Sequence, residues 1–232
     1  MSRNAAVGTA LAGGWLELDL EQAQQVPFAL AEIPSEEFRS LRTRLEQMQS
    51  ARTVRTVLVT SPGPGEGKSF TAANLALAEA QLPDNPTLLC DFNLRRPTLH
   101  SVFGMDRSPG ISDCLLGKAD LMEAVRRIGD SNLFVLPAGA AVHNPLELLH
   151  LKEVARMMDC LRSAFHWILL DSPGLLAASD ANVLAALADG IMLVTRIGAT
   201  TADSMTHAIG SLGPDNILGL VANGTAKSPA LR

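Results

Sequence analysis

The sequence predicts an α/β domain of three layers, α/β/α, on a mostly parallel, doubly wound sheet. Three observations predict it. Six apolar runs recur along the chain: TVLVTS (56–61), TLLCDF (87–92), LFVLPAG (133–139), WILLDSP (167–173), GIMLVTR (190–196) and ILGLVANG (217–224). They are continuous rather than alternating, the pattern of strands buried on both faces in a parallel sheet. Amphipathic, helix-period segments separate them, and a glycine-rich loop joins the first run directly to a helix.

Taken in order, residues 1–34 are rich in Ala, Gly and Gln and closed by Pro34. They read as a flexible or loosely docked arm, with residues 35–232 as the folded domain. Ser35 precedes EEFRSLRTRLEQMQ as an N-cap. Phe38, Leu41, Leu45 and Met48 follow at spacings of three, four and three, a helical stripe. The glycine loop leads into a helix ending near Gln81. Helical segments are expected around 111–117 and 120–128, one or two helices over 145–164, and helices at 180–187 and 201–212. No internal repeat or second domain is evident.

Composition narrows the function. The chain has 232 residues, 47% apolar and 19% charged, within the range of globular proteins. A net charge of −5 argues against a nucleic-acid partner, which needs a basic surface. Cys90, Cys114 and Cys160 are widely separated and the five histidines are unpaired, so buried thiols in a reducing compartment are expected and a zinc site is not. The opening residues lack the Leu/Ile/Val-rich centre of a signal peptide. The apolar stretch 181–194 is interrupted by Asp189 and Gly190 and is too short to span a bilayer. A cytoplasmic protein with no direct membrane insertion is expected.

The loop after the first strand reads SPGPGEGKSF (61–70). Gly63, Gly65 and Gly67 let the backbone turn tightly and present its N–H groups to a phosphate, and the loop feeds a helix N-terminus, which favours an anion. Lys68 supplies a mobile charge for the β- and γ-phosphates and Ser69 a hydroxyl for Mg²⁺. This is a P-loop, or Walker A, with Pro62 in place of the first glycine of G-x-x-x-x-G-K-[ST]. ATP and Mg²⁺ are the expected ligands, with Gly63, Pro64, Gly65, Glu66, Gly67, Lys68, Ser69 and Phe70 around the nucleotide. Two further strands end in acids, Asp91 and Asp171. In an open parallel sheet both point toward the ligand crevice, where a carboxylate can hold the metal or its waters. An aspartate closing a strand can also serve only as a cap or turn former. Lys68, Asp91 and Asp171 are thus the candidate catalytic residues, and Ser69, Asp91 and Asp171 the candidate metal ligands.

PGEGKS-x-x-AANLA (64–76), LLCDFNLRRP (88–97) and ILLDSPG (168–174) together resemble the bacterial tyrosine kinases of capsular and exopolysaccharide biosynthesis, relatives of the MinD/ParA-like P-loop ATPases. The resemblance covers roughly residues 35–224. It implies an ATP-binding transferase that regulates polysaccharide polymerisation or export. Its partner would be the cytoplasmic tail of a membrane co-polymerase, or chain-length determinant, recruiting it to the inner face of the membrane. Glu36, Arg39 and Arg42 match the family's E-x-x-R-x-x-R motif, linked to ring-like homo-oligomers. On its own this segment would read as an exposed amphipathic helix. Asn223 matches the family's adenine-side position, and Arg196 a frequent family arginine.

Three departures shape the expected activity. Where the family has a second acid in DxD, this chain has Asn93, which cannot accept a proton; losing a general base costs ~10²–10⁴ in rate. The usual DxPP is Asp171-Ser172-Pro173-Gly174. The sequence contains no tyrosine, so the family's autophosphorylated tyrosine cluster has no counterpart in TAKSPALR (225–232). Three functions remain: a kinase or slow ATPase of polysaccharide synthesis, a catalytically weak nucleotide-gated adaptor, and a ParA/MinD-like positioning ATPase. The LRRP segment and the missing early loop lysine argue against the third.

Overall fold

The computed structural model describes residues 24–26, 36–51, 53–176 and 179–224. An eight-stranded sheet runs in the order β1-β4-β5-β3-β6-β2-β7-β8. The strands are β1 (Gln24–Val26), β2 (Thr56–Thr60), β3 (Thr87–Asp91), β4 (Arg126–Ile128), β5 (Leu133–Leu136), β6 (Trp167–Asp171), β7 (Gly190–Arg196) and β8 (Ile217–Asn223). All neighbours are parallel except β4 and β5.

Alternate residues of each central strand enter different cores. Val57, Val59, Leu89, Leu169 and Met192 pack on one face beneath α1 (Glu36–Ala51), α2 (Lys68–Glu79) and α3 (Leu99–Val102). Leu58, Leu88, Cys90, Ile168, Leu170 and Leu193 pack on the other. There they meet α4 (Ile111–Leu115), α5 (Leu121–Ala124), α6 (Pro145–Leu149), α7 (Lys152–Ala164), α8 (Asp180–Ala185) and α9 (Ala202–Leu212). Burial on both faces is why the central runs carry no polar alternation; β8, at the edge of the sheet, departs from that expectation, being only partly buried with Leu220 exposed. The three cysteines are buried, and none forms a disulfide.

One expectation is corrected. The helical segment at 120–128 stops at Ala124, and Arg126–Ile128 forms β4, antiparallel to β5 across the turn at Gly129. The apolar spacing suited a helix, but Arg127 caps the turn instead, donating to Ser131 O at 2.9 Å with its guanidinium over the Phe134 ring. The short helix α3 also lies where the sequence carries no helical stripe. Within the expected arm, Gln24–Val26 pairs in parallel with β4; the rest of the arm, including the proposed Ser35 cap, and residues 225–232 lie outside the described residues.

Of the predicted stripe on α1, Leu45 is buried and Phe38 and Leu41 pack against the same core, whereas Met48 is exposed. Arg42 donates to Ala78 O at 2.8 Å, tying α1 to the last turn of α2. Beside it Glu79 is fully buried, and neither carboxylate oxygen has a hydrogen-bond partner. Desolvation, and next the charge of Glu46, push its pKa to about 8 against the opposing pull of Arg42. A carboxyl raised in this way lowers stability progressively between its ordinary value and about pH 8. Glu79→Gln is therefore expected to melt above wild type at pH 9 and level with it at pH 4. A difference that does not change with pH would refute this account.

Candidate nucleotide site

The sheet order reverses around β2. The chain passes by way of α2 to β3 on one side and later adds β7 and β8 on the other. The crevice beyond the C-terminal ends of β2, β3 and β6 is thus the expected ligand position, and the phosphate loop lies there, between β2 and α2. Gly65 and Gly67 take φ of +73° and +100°. Gly67 is the N-cap of α2 and no side chain caps the helix, so its first N–H groups face the crevice.

The departure after β6 has a structural role. Leu175 N donates to Ser61 O at 2.9 Å and Leu176 N to Pro62 O at 3.0 Å. Thr60 Oγ1 donates to Pro173 O at 3.1 Å, so the 172–176 segment runs along the base of the phosphate loop. Gly174 lies so close that a Cβ there would stand 2.8 Å from Gly63 O. Pro62, which replaces a glycine, keeps its carbonyl in this stitching.

Lys68 is nearly buried, and its Nζ donates to Ser61 Oγ and Gly63 O, both at 3.1 Å. Desolvation lowers its pKa, while Asp171 and Glu66 pull the other way. Asp91 and Asp171 face each other in register across β3 and β6, and both are fully buried. Their environments differ. Asp91 accepts Asn93 N at 3.2 Å and Thr98 N and Leu99 N at 3.0 Å each, so it organises the turn into α3. Burial raises its pKa to about 6, against the pull of those amides. Neither oxygen of Asp171 has a hydrogen-bond partner. Burial first, then the charge of Asp91, raises its pKa to about 7. Ser69 and Lys68 ease that charge without closing hydrogen-bond geometry on either oxygen.

Such a carboxylate is costly to leave unsatisfied, and its chemistry fits a hard cation. Mg²⁺ suits it, because Mg²⁺ takes one or two carboxylates and draws its remaining ligands from phosphates and water. Among the described residues no group of three or more His, Cys, Asp or Glu forms an all-protein metal cage.

The crevice itself is a cleft of ≈ 670 Å³ lined by the phosphate loop, Asn93, Arg95, Arg96, Thr98, Pro173 and Gly174, large enough for a nucleotide. Phe70, 57% exposed, forms part of its wall and meets Phe38 of α1 edge to face at 5.8 Å. Asn93 Oδ1 accepts Arg96 N at 3.3 Å, and Arg95 forms a bidentate pair with the buried Asp180. Asn223 donates to Glu66 O at 3.0 Å; the contact it makes is with the phosphate loop. Of the assembly motif, Glu36 and Arg39 form an exposed pair at 3.5 Å, whereas Arg42 is engaged with α2. The sequence reading missed the Arg95–Asp180 pair and Thr200, which donates to Glu66. The LRRP segment flagged the arginine; nothing local flags Thr200.

The tyrosine-protein kinase YwqD of Bacillus subtilis is 36% identical over 194 residues, 83% of this chain and 81% of the relative. The chain belongs to the bacterial tyrosine-protein kinases. Against the tyrosine-protein kinase Etk of Escherichia coli K12, identity is 29% over 89% of this chain but only 29% of the relative, so this bacterial tyrosine kinase homologue spans under a third of that protein. The solved kinase domain of Escherichia coli ETK superposes with a TM-score of 0.81 at 28% identity, over 90% of this chain and 84% of that one. MinD of Pyrococcus horikoshii, solved with Mg-ADP, shares the fold at a TM-score of 0.63 and 22% identity, over 75% of this chain and 72% of that one. No family model matches. Among the described residues, no helix of this tyrosine-kinase relative is long and apolar enough to cross a membrane.

Proposed function

We propose that the chain binds Mg·ATP and acts, as a phosphoryl-transferring or ATP-hydrolysing protein, in regulating exopolysaccharide or capsule polymerisation or export. It would work in the cytoplasm, brought to the inner face of the membrane by the cytoplasmic tail of a polysaccharide co-polymerase. The observation that carries this reading is Asp171: a buried carboxylate with no partner, at the foot of a phosphate loop, in a protein whose family is one of kinases.

In this account the amides of residues 65–69 cradle the triphosphate. Lys68 leaves Ser61 Oγ and Gly63 O for the β- and γ-phosphates, whose charge offsets its desolvation. Ser69 and Asp171 would hold Mg²⁺, with Asp91, the second acid of the site, fixing the turn into α3 beside them. The bound ion would neutralise charge developing on the β,γ-phosphate oxygens. Phe70 borders the nucleotide and Asn223 steadies the loop from behind. Glu36 and Arg39 offer an exposed face for self-assembly, and Arg42 fixes the helix that carries them. The sequence holds no tyrosine; the chain would phosphorylate a tyrosine of a partner, or hydrolyse ATP slowly while assembling.

Asn93 favours a second reading, the nucleotide-gated adaptor. It occupies the turn above Asp91, where an aspartate would keep the same acceptor for Arg96 N and add a proton acceptor. Restoring the acid therefore tests the chemistry without disturbing the turn. Phosphate release, and transfer to a tyrosine-containing peptide, are measured for wild type and Asn93→Asp. A rise on the order of 10²-fold or more is expected if a general base is what is lacking. Tight binding with no turnover in either protein assigns the adaptor. Saturating Mg·ATP that leaves Tm unchanged would end both readings.

A further inference from the structure

The phosphate loop is fastened from outside its own motif. The Glu66 carboxylate, nearly buried, accepts Gly63 N at 2.7 Å on one oxygen and the Thr200 hydroxyl on the other. Thr200 Oγ1 itself accepts Arg196 N at 2.8 Å, which leaves its proton free for Glu66. Arg196 Nη1 reaches Gly65 O at 3.3 Å. These contacts lie in a separate pocket of ≈ 390 Å³ bounded by the loop, Leu176 and the start of α9. Thr200 and Arg196 do not line the cleft that holds Lys68, Ser69 and Asn93.

We infer that Thr200, acting through Glu66, is a positioning residue for the nucleotide, part of a clamp that sets the shape of the phosphate loop without touching the ligand. The inference rests on the Mg·ATP reading. A loop containing glycines at 63, 65 and 67 has many accessible shapes. If only a fraction of them presents the amides correctly, apparent affinity falls by that fraction. Glu66 holds both ends of the Gly63–Glu66 segment to one carboxylate, and Thr200 fixes that carboxylate to the β7–α9 connection. The loop is thereby held near one shape before any ligand arrives.

The test compares wild type, Thr200→Val and Thr200→Ser by two readouts: the Kd of a fluorescent ATP analogue with Mg²⁺, and amide hydrogen exchange across residues 63–67 without nucleotide. Loss of one hydrogen bond to a carboxylate predicts a Kd raised about tenfold in Thr200→Val. Exchange of the loop amides should be faster, Tm nearly unchanged, and both readouts restored in Thr200→Ser. Wild-type affinity and exchange in Thr200→Val would overturn the inference. So would equal losses in both variants with a lowered Tm, because that marks a general structural role. If Thr200→Val does not fold, Arg196→Gln, which removes the Gly65 contact from an exposed side chain, must show the same faster exchange. Wild type that fails to bind nucleotide sinks the Mg·ATP reading and with it the nucleotide role of the clamp, whereas unchanged exchange in Thr200→Val with binding intact in wild type sinks the clamp alone.

Discussion

Asp171→Asn is expected to make the protein more stable and to abolish its response to Mg·ATP. The two effects have one origin. In a carboxyl whose pKa is raised from 3.8 to about 7, the folded state holds its proton more tightly than the unfolded one. Its cost to stability is absent below pH 3.8, builds between pH 3.8 and about 7, and is complete above that. Removing the charge should then return on the order of 2–4 kcal/mol at pH 8, a rise in Tm of roughly 5–15 °C, and nothing at pH 3.5. The same change removes the carboxylate assigned to the metal, so Mg·ATP should no longer raise Tm and any turnover should fall by about 10²-fold or more. Thermal melts at both pH values, with and without Mg·ATP, decide it. A variant that melts at or below wild type at pH 8, or that Mg·ATP still protects, would contradict the assignment. Because a proton competes for the same oxygens, Mg·ATP protection of wild type should also weaken as pH drops below about 7.

Gly67→Ala should act in the opposite direction on stability. The residue sits at φ +100°, where an L side chain is strained by about 1–3 kcal/mol. Its Cβ would fall 1.8 Å from Asn223 Nδ2, so the amide must move and release Glu66 O, at a further cost of about 1 kcal/mol. The total, about 2–4 kcal/mol, predicts a fall in Tm of roughly 5–15 °C, and nucleotide binding should go with it. The double variant Gly67→Ala/Asn223→Gly separates the causes: removing the obstructing amide should leave the backbone strain in place. A single variant with wild-type Tm and wild-type nucleotide protection would show that this approach of loop and strand does not matter.

The central strands and the phosphate loop were legible because their signals are local. A strand buried on both faces must be apolar throughout, and a loop that turns around a phosphate must be rich in glycine. Arg126–Ile128 carries no such mark. Its two arginines suit a helix surface equally well, and only pairing with β1 and β5 makes it a strand. The acids at the strand ends were visible as residues, but their difference was not. Asp91 and Asp171 both follow apolar runs, and it takes the turn into α3 to show that one is bound by three amides while the other has none. The clamp on the loop was hidden for the same reason: Thr200 and Glu66 are 134 residues apart. In the assembly motif, helix spacing suggested the Glu36–Arg39 pair, whereas the acceptor of Arg42 belongs to another helix.

Asp91 and Asp171 owe their proximity to the backbone ladder between two strands, since their Cα atoms are partners in its register. A displacement of that ladder by a single step would send one acid's neighbours to the wrong layer and carry oil-like side chains into the opposite interior. Correct assembly of the apolar layers and correct alignment of the two acids are therefore one event, and a chain that has buried its interior properly has already brought the unpartnered carboxylate of Asp171 into line.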